Sequence, residues 1–175
     1  MLNISHSFFS ERRQILVTAL ATGLLCGIWS FLAPLFNLFT WAGFAGCTTF
    51  FAIGEGGLAT VKKAMLCNVT GVACGMLIIW LSEILPFPYS GAVFSGLITE
   101  VMCLLGILSL INYTPGIFVG CFTTFAANGQ AFILIISLLC GALLGFLCDE
   151  LGKFFLKWQE KYGKTIVPGK EKNVV

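Results

Sequence analysis

Residues Phe44-Ala-Gly-Cys-Thr-Thr-Phe-Phe-Ala52 and Phe118-Val-Gly-Cys-Phe-Thr-Thr-Phe-Ala126 are two versions of one sequence. At an offset of 74 residues, six of their nine positions are identical. The same offset, kept without a gap, matches three further pairs downstream: Gly71 with Gly145, Cys74 with Cys148, and Leu77 with Leu151. Some identity is expected by chance, because glycine, alanine, phenylalanine and cysteine are common here. The shared register nevertheless favours an internal duplication.

The chain is apolar almost everywhere except at its ends. Its 175 residues are 58% hydrophobic and 10% charged, with a mean hydropathy of +0.95. A soluble domain carries about 25% charged residues, so this chain has too few polar atoms to cover a surface in water. Only five charged residues lie between positions 14 and 148, namely Glu55, Lys62, Lys63, Glu83 and Glu100. A charge at the bilayer centre costs at least about 2.5–3.5 kcal/mol, so this segregation of charge predicts an all-α transmembrane protein. Its predicted partner is therefore the lipid bilayer. The net charge of +2 gives no indication of a nucleic-acid partner.

The apolar segments lie at roughly 14–36, 38–53, 64–85, 91–111, 115–127 and 131–148. A helix needs about 20 residues to cross the hydrocarbon core, so the second and fifth segments are short. Each short segment ends in a break, Gly54-Glu55-Gly56-Gly57 or Asn128-Gly129-Gln130. We therefore predict a single membrane domain over residues 1–175. It is a six-helix polytopic bundle of two inverted three-helix repeats, about 14–85 and 88–156, in which helices two and five are short or broken.

The basic residues predict the orientation of this bundle. Arg12 and Arg13 precede the first span, Lys62 and Lys63 lie between spans two and three, and lysines follow span six. Six crossings place all three groups on one face, which the positive-inside rule makes cytoplasmic, together with both termini. Re-entrant short segments would leave four crossings and put Lys62 and Lys63 outside. We also predict a cytoplasmic tail over residues 157–175, in which the last helix turns along the interface and Pro168–Val175 is disordered.

Polar residues near the two breaks are the candidates for a solute pathway. A helix that stops inside the membrane leaves backbone groups that only protein or a water-filled cavity can satisfy. Glu100 is a further candidate for the pathway, because it is a charged residue in the middle of the fourth apolar span. The predicted pathway residues are Thr48, Thr49, Gly54, Glu55, Asn68, Glu100, Thr123, Thr124, Asn128 and Gln130. The alternative is that the threonines bond to their own helices, the glycines permit packing, Glu55 pairs with a nearby lysine and Glu100 is a neutral acid bonded to a neighbouring helix.

Neither metal, cofactor nor catalytic chemistry is indicated by the sequence. The eight cysteines all fall in apolar segments, none forms a C-x-x-C pair, and the one histidine is His6 in the polar start. We interpret the cysteines as small packing residues. The chain has no P-loop, no G-x-G-x-x-G and no Ser/His/Asp set, so we predict no enzyme activity.

Residues Gly46-Cys-Thr-Thr-Phe-Phe-Ala-Ile-Gly54, Lys62-Lys63 and Asn68-Val-Thr-Gly71 resemble the YcdZ-like family of small bacterial inner-membrane proteins, which is defined as a domain of unknown function. The resemblance covers most of residues 13–151. It implies a bacterial inner-membrane location and no particular activity.

Three functions remain open from the sequence. The leading hypothesis is a channel or facilitative transporter for a small neutral or weakly charged solute, with its pathway between the two short helices. In architecture alone, this plan resembles small bacterial urea and acetate permeation proteins that form rings. We expect a homo-oligomer, because six short helices offer limited surface to enclose a pore. The alternatives are a proton- or ion-coupled transporter that uses Glu100, and a non-transporting scaffold or accessory subunit that docks through its tail.

Overall fold

The computed structural model describes residues 2–163, with side chains for residues 15–158 and 161. These residues form six α-helices. Their bounds are α1 Leu2–Leu35, α2 Thr40–Ile53, α3 Gly57–Ile84, α4 Ser90–Leu105, α5 Thr114–Ala126 and α6 Ala131–Gly163. The stretch from Pro168 to Val175, for which the sequence predicts disorder, lies outside the described residues.

Three of these helices are long and apolar enough to cross a bilayer, over Ile15–Leu35 in α1, Gly57–Ile84 in α3 and Ala131–Trp158 in α6. Helices α2, α4 and α5 are apolar but shorter, with 14, 16 and 13 residues. At 1.5 Å per residue, α2 and α5 are each about 20 Å long, against about 30 Å of hydrocarbon. The prediction of an all-helical membrane protein is confirmed at this level.

Three predicted boundaries differ from the observed helices. Helix α3 begins at Gly57 rather than near residue 64, so Lys62 and Lys63 lie in its first turns instead of in a loop. Helix α4 ends at Leu105, six residues early, because a series of turns follows Gly106. Helix α6 continues without a break to Gly163, beyond the end of the predicted segment at residue 148. Lysines and aromatics alternate in this extension, and its predicted course along the interface stays a prediction.

The two short helices end at matching backbone breaks. Gly54 ends α2 with a left-handed φ of 75°, and its N–H donates to the Phe50 carbonyl oxygen at 3.5 Å. Asn128, which is 74 residues further along, follows α5 with a φ of 49°, and Gly129 has a φ of 73°. Glycine and asparagine adopt this conformation most readily, which explains why the chain changes direction at these positions.

The chain divides into two compact units. One unit comprises residues 26–146 and contains all of α2 to α5. The other comprises the N-terminal part of α1 and the C-terminal part of α6. In that unit Thr18 lies beside Gly152, and an apolar groove of about 420 Å³ is lined by Val17, Leu20, Leu24, Phe155 and Trp158.

Candidate functional site

Helices α3 and α5 lie in backbone contact, and glycines make this possible. A Cβ atom at Gly120 would collide with the Asn68 carbonyl oxygen, and one at Gly71 would collide with the Ile117 carbonyl oxygen. Small residues allow membrane helices to approach in this way, and the close contact then supplies van der Waals attraction. The two helices are therefore held at a distance that no larger residue at positions 71 and 120 would permit.

Helices α2 and α6 repeat the same contacts. A Cβ at Gly46 would collide with the Leu138 carbonyl oxygen, and one at Gly141 would collide with the Gly43 carbonyl oxygen. Gly46 and Gly43 correspond to residues 120 and 117 at the offset of 74. Helix α2 thus packs against α6 as α5 packs against α3.

The offset between the third helices differs from the predicted one. These contacts pair Gly71 with Gly141, and Gly75 with Gly145, which is an offset of 70 rather than 74. Consistent with this, Gly75 lies against Thr124 of α5, and Gly145 lies against Phe50, which is 74 residues before Thr124. The ungapped alignment is therefore displaced in α6 by four residues, about one helical turn.

A further matched pair anchors the start of each short helix. The Phe39 N–H, next to α2, donates to Ser137 Oγ of α6 at 3.0 Å. At the corresponding offsets, Tyr113, next to α5, packs beside Cys67 of α3. The Ser137 hydroxyl thereby satisfies one of the backbone donors that a helix start leaves unpaired.

Two of the predicted pathway residues meet in this interior. Thr49 of α2 and Asn68 of α3 are 1% and 0% exposed, and Thr49 Oγ1 donates to Asn68 Oδ1 at 3.0 Å. Gly116 of α5 completes the junction, because a Cβ there would lie 2.9 Å from Thr49 Cγ2 and 3.0 Å from Cys67 Cβ. The candidate site is thus the point where α2, α3 and α5 converge.

The Asn68 amide is incompletely bonded. Its Nδ2 has no hydrogen-bond partner among the described residues. Thr49 Oγ1 also lies 3.1 Å from the Ala45 carbonyl oxygen, and one hydroxyl proton cannot serve two acceptors well. Turning the amide over would let Nδ2 donate to Thr49 Oγ1 and would leave Oδ1 unpaired instead. In both orientations one atom of a fully buried amide lacks a partner.

This amide is also where the two halves differ. The residue that corresponds to Asn68 is Leu138, which is equally buried at 0% exposed. The residue that corresponds to Thr49 is Thr123, whose hydroxyl bonds to carbonyl oxygens of its own helix, at 2.7 Å from Val119 and 2.9 Å from Gly120. One half of the repeated frame therefore holds an amide where the other half holds an aliphatic side chain.

The remaining predicted pathway residues are not brought to this junction as a group. Thr124 is buried against Gly75 and bonds to the Gly120 carbonyl oxygen at 2.9 Å. Thr48 faces outward and bonds to the Phe44 carbonyl oxygen at 2.9 Å. The other five are exposed, namely Gly54, Glu55, Glu100, Asn128 and Gln130.

Glu55 has a local partner. Its Oε1 lies 2.8 Å from Lys63 Nζ, and its side chain is 57% exposed. An exposed ion pair of this kind is worth at most about 1 kcal/mol. It fastens the α2–α3 turn to the start of α3, as the alternative interpretation of Glu55 proposed.

Three buried polar residues were missed by the sequence analysis. Thr60, Ser137 and Cys67 are all 0% exposed, and Cys67 lies beside Tyr113. Thr60 Oγ1 donates to the Gly56 carbonyl oxygen at 2.7 Å and so supports the first turn of α3. Aligning α6 at the offset of 70 would have paired Cys67 with Ser137 and indicated a shared role.

These features define a class: an all-helical membrane protein whose helices meet through glycines and enclose one unsatisfied amide. The chain belongs to the family described as "Protein of unknown function (DUF1097)", which matches residues 19–153. This confirms the resemblance to the YcdZ-like family. The "Inner membrane protein YcdZ" of Escherichia coli (strain K12) is 34% identical over 139 residues, covering 79% of this chain and 85% of the relative. The protein of the same name from Salmonella typhimurium (strain LT2) is 30% identical over 149 residues, covering 85% and 93%. No solved structure gives a significant match.

Proposed function

We propose that this protein is a facilitative transporter or channel for a small neutral polar solute in the bacterial inner membrane, with Asn68 and Thr49 as its solute site. The observation that carries the proposal is the fully buried Asn68 amide with one atom unpaired. Burying an unsatisfied polar group costs about 1–3 kcal/mol, and the other half of the chain avoids this cost with Leu138. A solute that completes the hydrogen bonding of Asn68 gives a reason to keep it.

The chemistry of the amide sets the class of solute. A primary amide supplies donors on nitrogen, an acceptor on oxygen and no charge. It therefore suits a neutral molecule that carries both a donor and an acceptor, such as urea or a small amide. No lysine or arginine lies between residues 64 and 148, so this interior offers an anion no compensating charge.

The proposed architecture is six spans in two inverted three-helix repeats, with both termini cytoplasmic. The matched contacts of α2 with α6 and of α5 with α3 support the repeat, and an odd number of spans per repeat inverts the second copy. Helices α2 and α5 are then the short elements at the repeat interface. The positive-φ residues at their ends, Gly54 and Asn128, are the points where each could pivot.

A second candidate, a non-transporting membrane subunit, is favoured by the closure of the interior. Asn68 and Thr123 are 0% exposed and Thr49 is 1% exposed, so no space large enough for water adjoins them. Transport therefore requires a second conformation in which α2 or α5 moves away from α3. Glu100 lies on the exposed face of α4 and takes no part in this proposed site.

The test is a flux assay with the purified protein in liposomes. Urea, acetamide, glycerol, ammonia and acetate are each presented in a stopped-flow experiment, and the rate is compared with that of empty liposomes. We expect at least one of the first two solutes to cross faster with the protein present. If every solute crosses at the rate of empty liposomes, the transport proposal fails and the accessory-subunit candidate replaces it.

A further inference from the structure

Glu100 lies on a surface that the described residues of its own chain leave uncovered. It is the central residue of positions 91–109, and the other eighteen positions carry no charge. Its side chain is nevertheless exposed on α4. With α4 crossing the bilayer, as proposed above, a carboxyl group there meets hydrocarbon, which cannot solvate it and imposes a cost of at least about 2.5 kcal/mol. Protein or water must cover this face in the membrane.

The residues around Glu100 are suited to a close helix contact. Gly96 and Cys103 lie one turn before and one turn after it on the same face, and both are exposed. Nothing lies within 4 Å of a Cβ built at Gly96. Glycines 71 and 120, by contrast, are required by contacts inside the chain. Position 96 therefore has no internal reason to be glycine, and a second helix lying across it supplies one.

We infer that this face of α4, defined by Gly96, Glu100 and Cys103, binds the same face of a second copy of the chain. In a two-fold contact each residue near the axis meets its own counterpart, so two Glu100 carboxyl groups face each other. The two carboxyl groups hydrogen-bond to each other, which satisfies both without a cation. The sequence offers no lysine or arginine between residues 64 and 148 that could serve instead. A second copy thus supplies the complementary group that this surface lacks.

Cys103 provides the test, because it is exposed while the other seven cysteines are buried or partly buried. The full-length protein in bacterial membranes is treated with copper phenanthroline and separated without reductant. A disulfide needs Cα atoms within about 7 Å, so only adjacent copies of α4 can form it. We expect a band at twice the mass of the chain that disappears in Cys103→Ser. A matched control, Leu104→Cys in the Cys103→Ser background, places the thiol at the same depth but about 100° around the helix, and should give no such band.

Two substitutions at position 100 test whether Glu100 is what holds the two copies together. In Glu100→Leu, lipid alone can solvate the leucine side chain, so the second copy is no longer needed. The Cys103 cross-link should then be lost while far-UV circular dichroism shows the protein still folded. Glu100→Gln can pair amide with amide and should retain the cross-link. The inference is wrong if wild type gives no dimer band, if Cys103 joins a protein of different mass, if position 104 cross-links equally well, or if Glu100→Leu cross-links like wild type. None of these outcomes depends on solute flux, so the interface and the transport proposal fail separately.

Discussion

Replacing Asn68 by leucine tests whether the buried amide serves structure or function. Leucine has the same number of side-chain heavy atoms and is the residue at the corresponding position 138. The substitution removes the unpaired amide atom, which relieves about 1–3 kcal/mol. It also removes the hydrogen bond to Thr49, and such bonds between membrane helices average about 0.6 kcal/mol. Thr49 keeps its bond to the Ala45 carbonyl oxygen at 3.1 Å. We therefore expect Asn68→Leu to leave the free energy of unfolding unchanged or to raise it by up to about 2 kcal/mol.

The assay is unfolding by SDS in mixed micelles, followed by far-UV circular dichroism. The matched control is Leu138→Asn, which buries a second amide at a position that is 0% exposed. At best this amide bonds to Thr123 as Asn68 bonds to Thr49, so one of its atoms stays unpaired and the variant should lose about 1–3 kcal/mol. A loss of more than about 1 kcal/mol in Asn68→Leu would refute the reasoning, since Asn68 would then be a structural link between α2 and α3.

Two further predictions concern the frame around the site. Gly120→Ala and Gly46→Ala should each destabilise the protein by about 1–3 kcal/mol in the same SDS titration, because each new Cβ meets a backbone carbonyl oxygen. Gly23→Ala, where nothing lies within 4 Å, should be neutral or stabilising by up to about 1 kcal/mol, and equal losses at all three positions would contradict the packing described. For topology, cysteines introduced at Lys62 and Glu83 should react with an impermeant maleimide from opposite sides of the membrane. Labelling of both from the same side would rule out α3 as a single crossing.

The sequence predicted the helical membrane fold for identifiable physical reasons. Hydrocarbon excludes charge, and the amino-acid composition shows this exclusion directly. The breaks near Gly54 and Asn128 are predictable because glycine and asparagine tolerate a positive φ. The register of α6 was not predictable in the same way. Its sequence matches α3 weakly, and only backbone contacts such as that of Gly141 with Gly43 show the displacement of one turn.

The site was predicted only in part, for a related reason. Sequence spacing places Thr48 and Thr49 beside the same break, but the helix turns adjacent residues about 100° apart, so Thr48 is exposed and Thr49 bonds to Asn68. Likewise, the position of Glu100 in the middle of a span does not reveal which way it points. The direction in which a side chain faces depends on which helices pack together, and here α2 packs against α6 and α5 packs against α3.

The most direct test of the central claim is the flux of the transported solute through liposomes that contain Asn68→Leu at the same protein content as wild type. If the buried amide is the solute site, flux falls to the rate of empty liposomes while the protein remains as stable as wild type. Wild-type flux through Asn68→Leu would contradict the claim, because transport would then need no polar group at the junction of α2, α3 and α5.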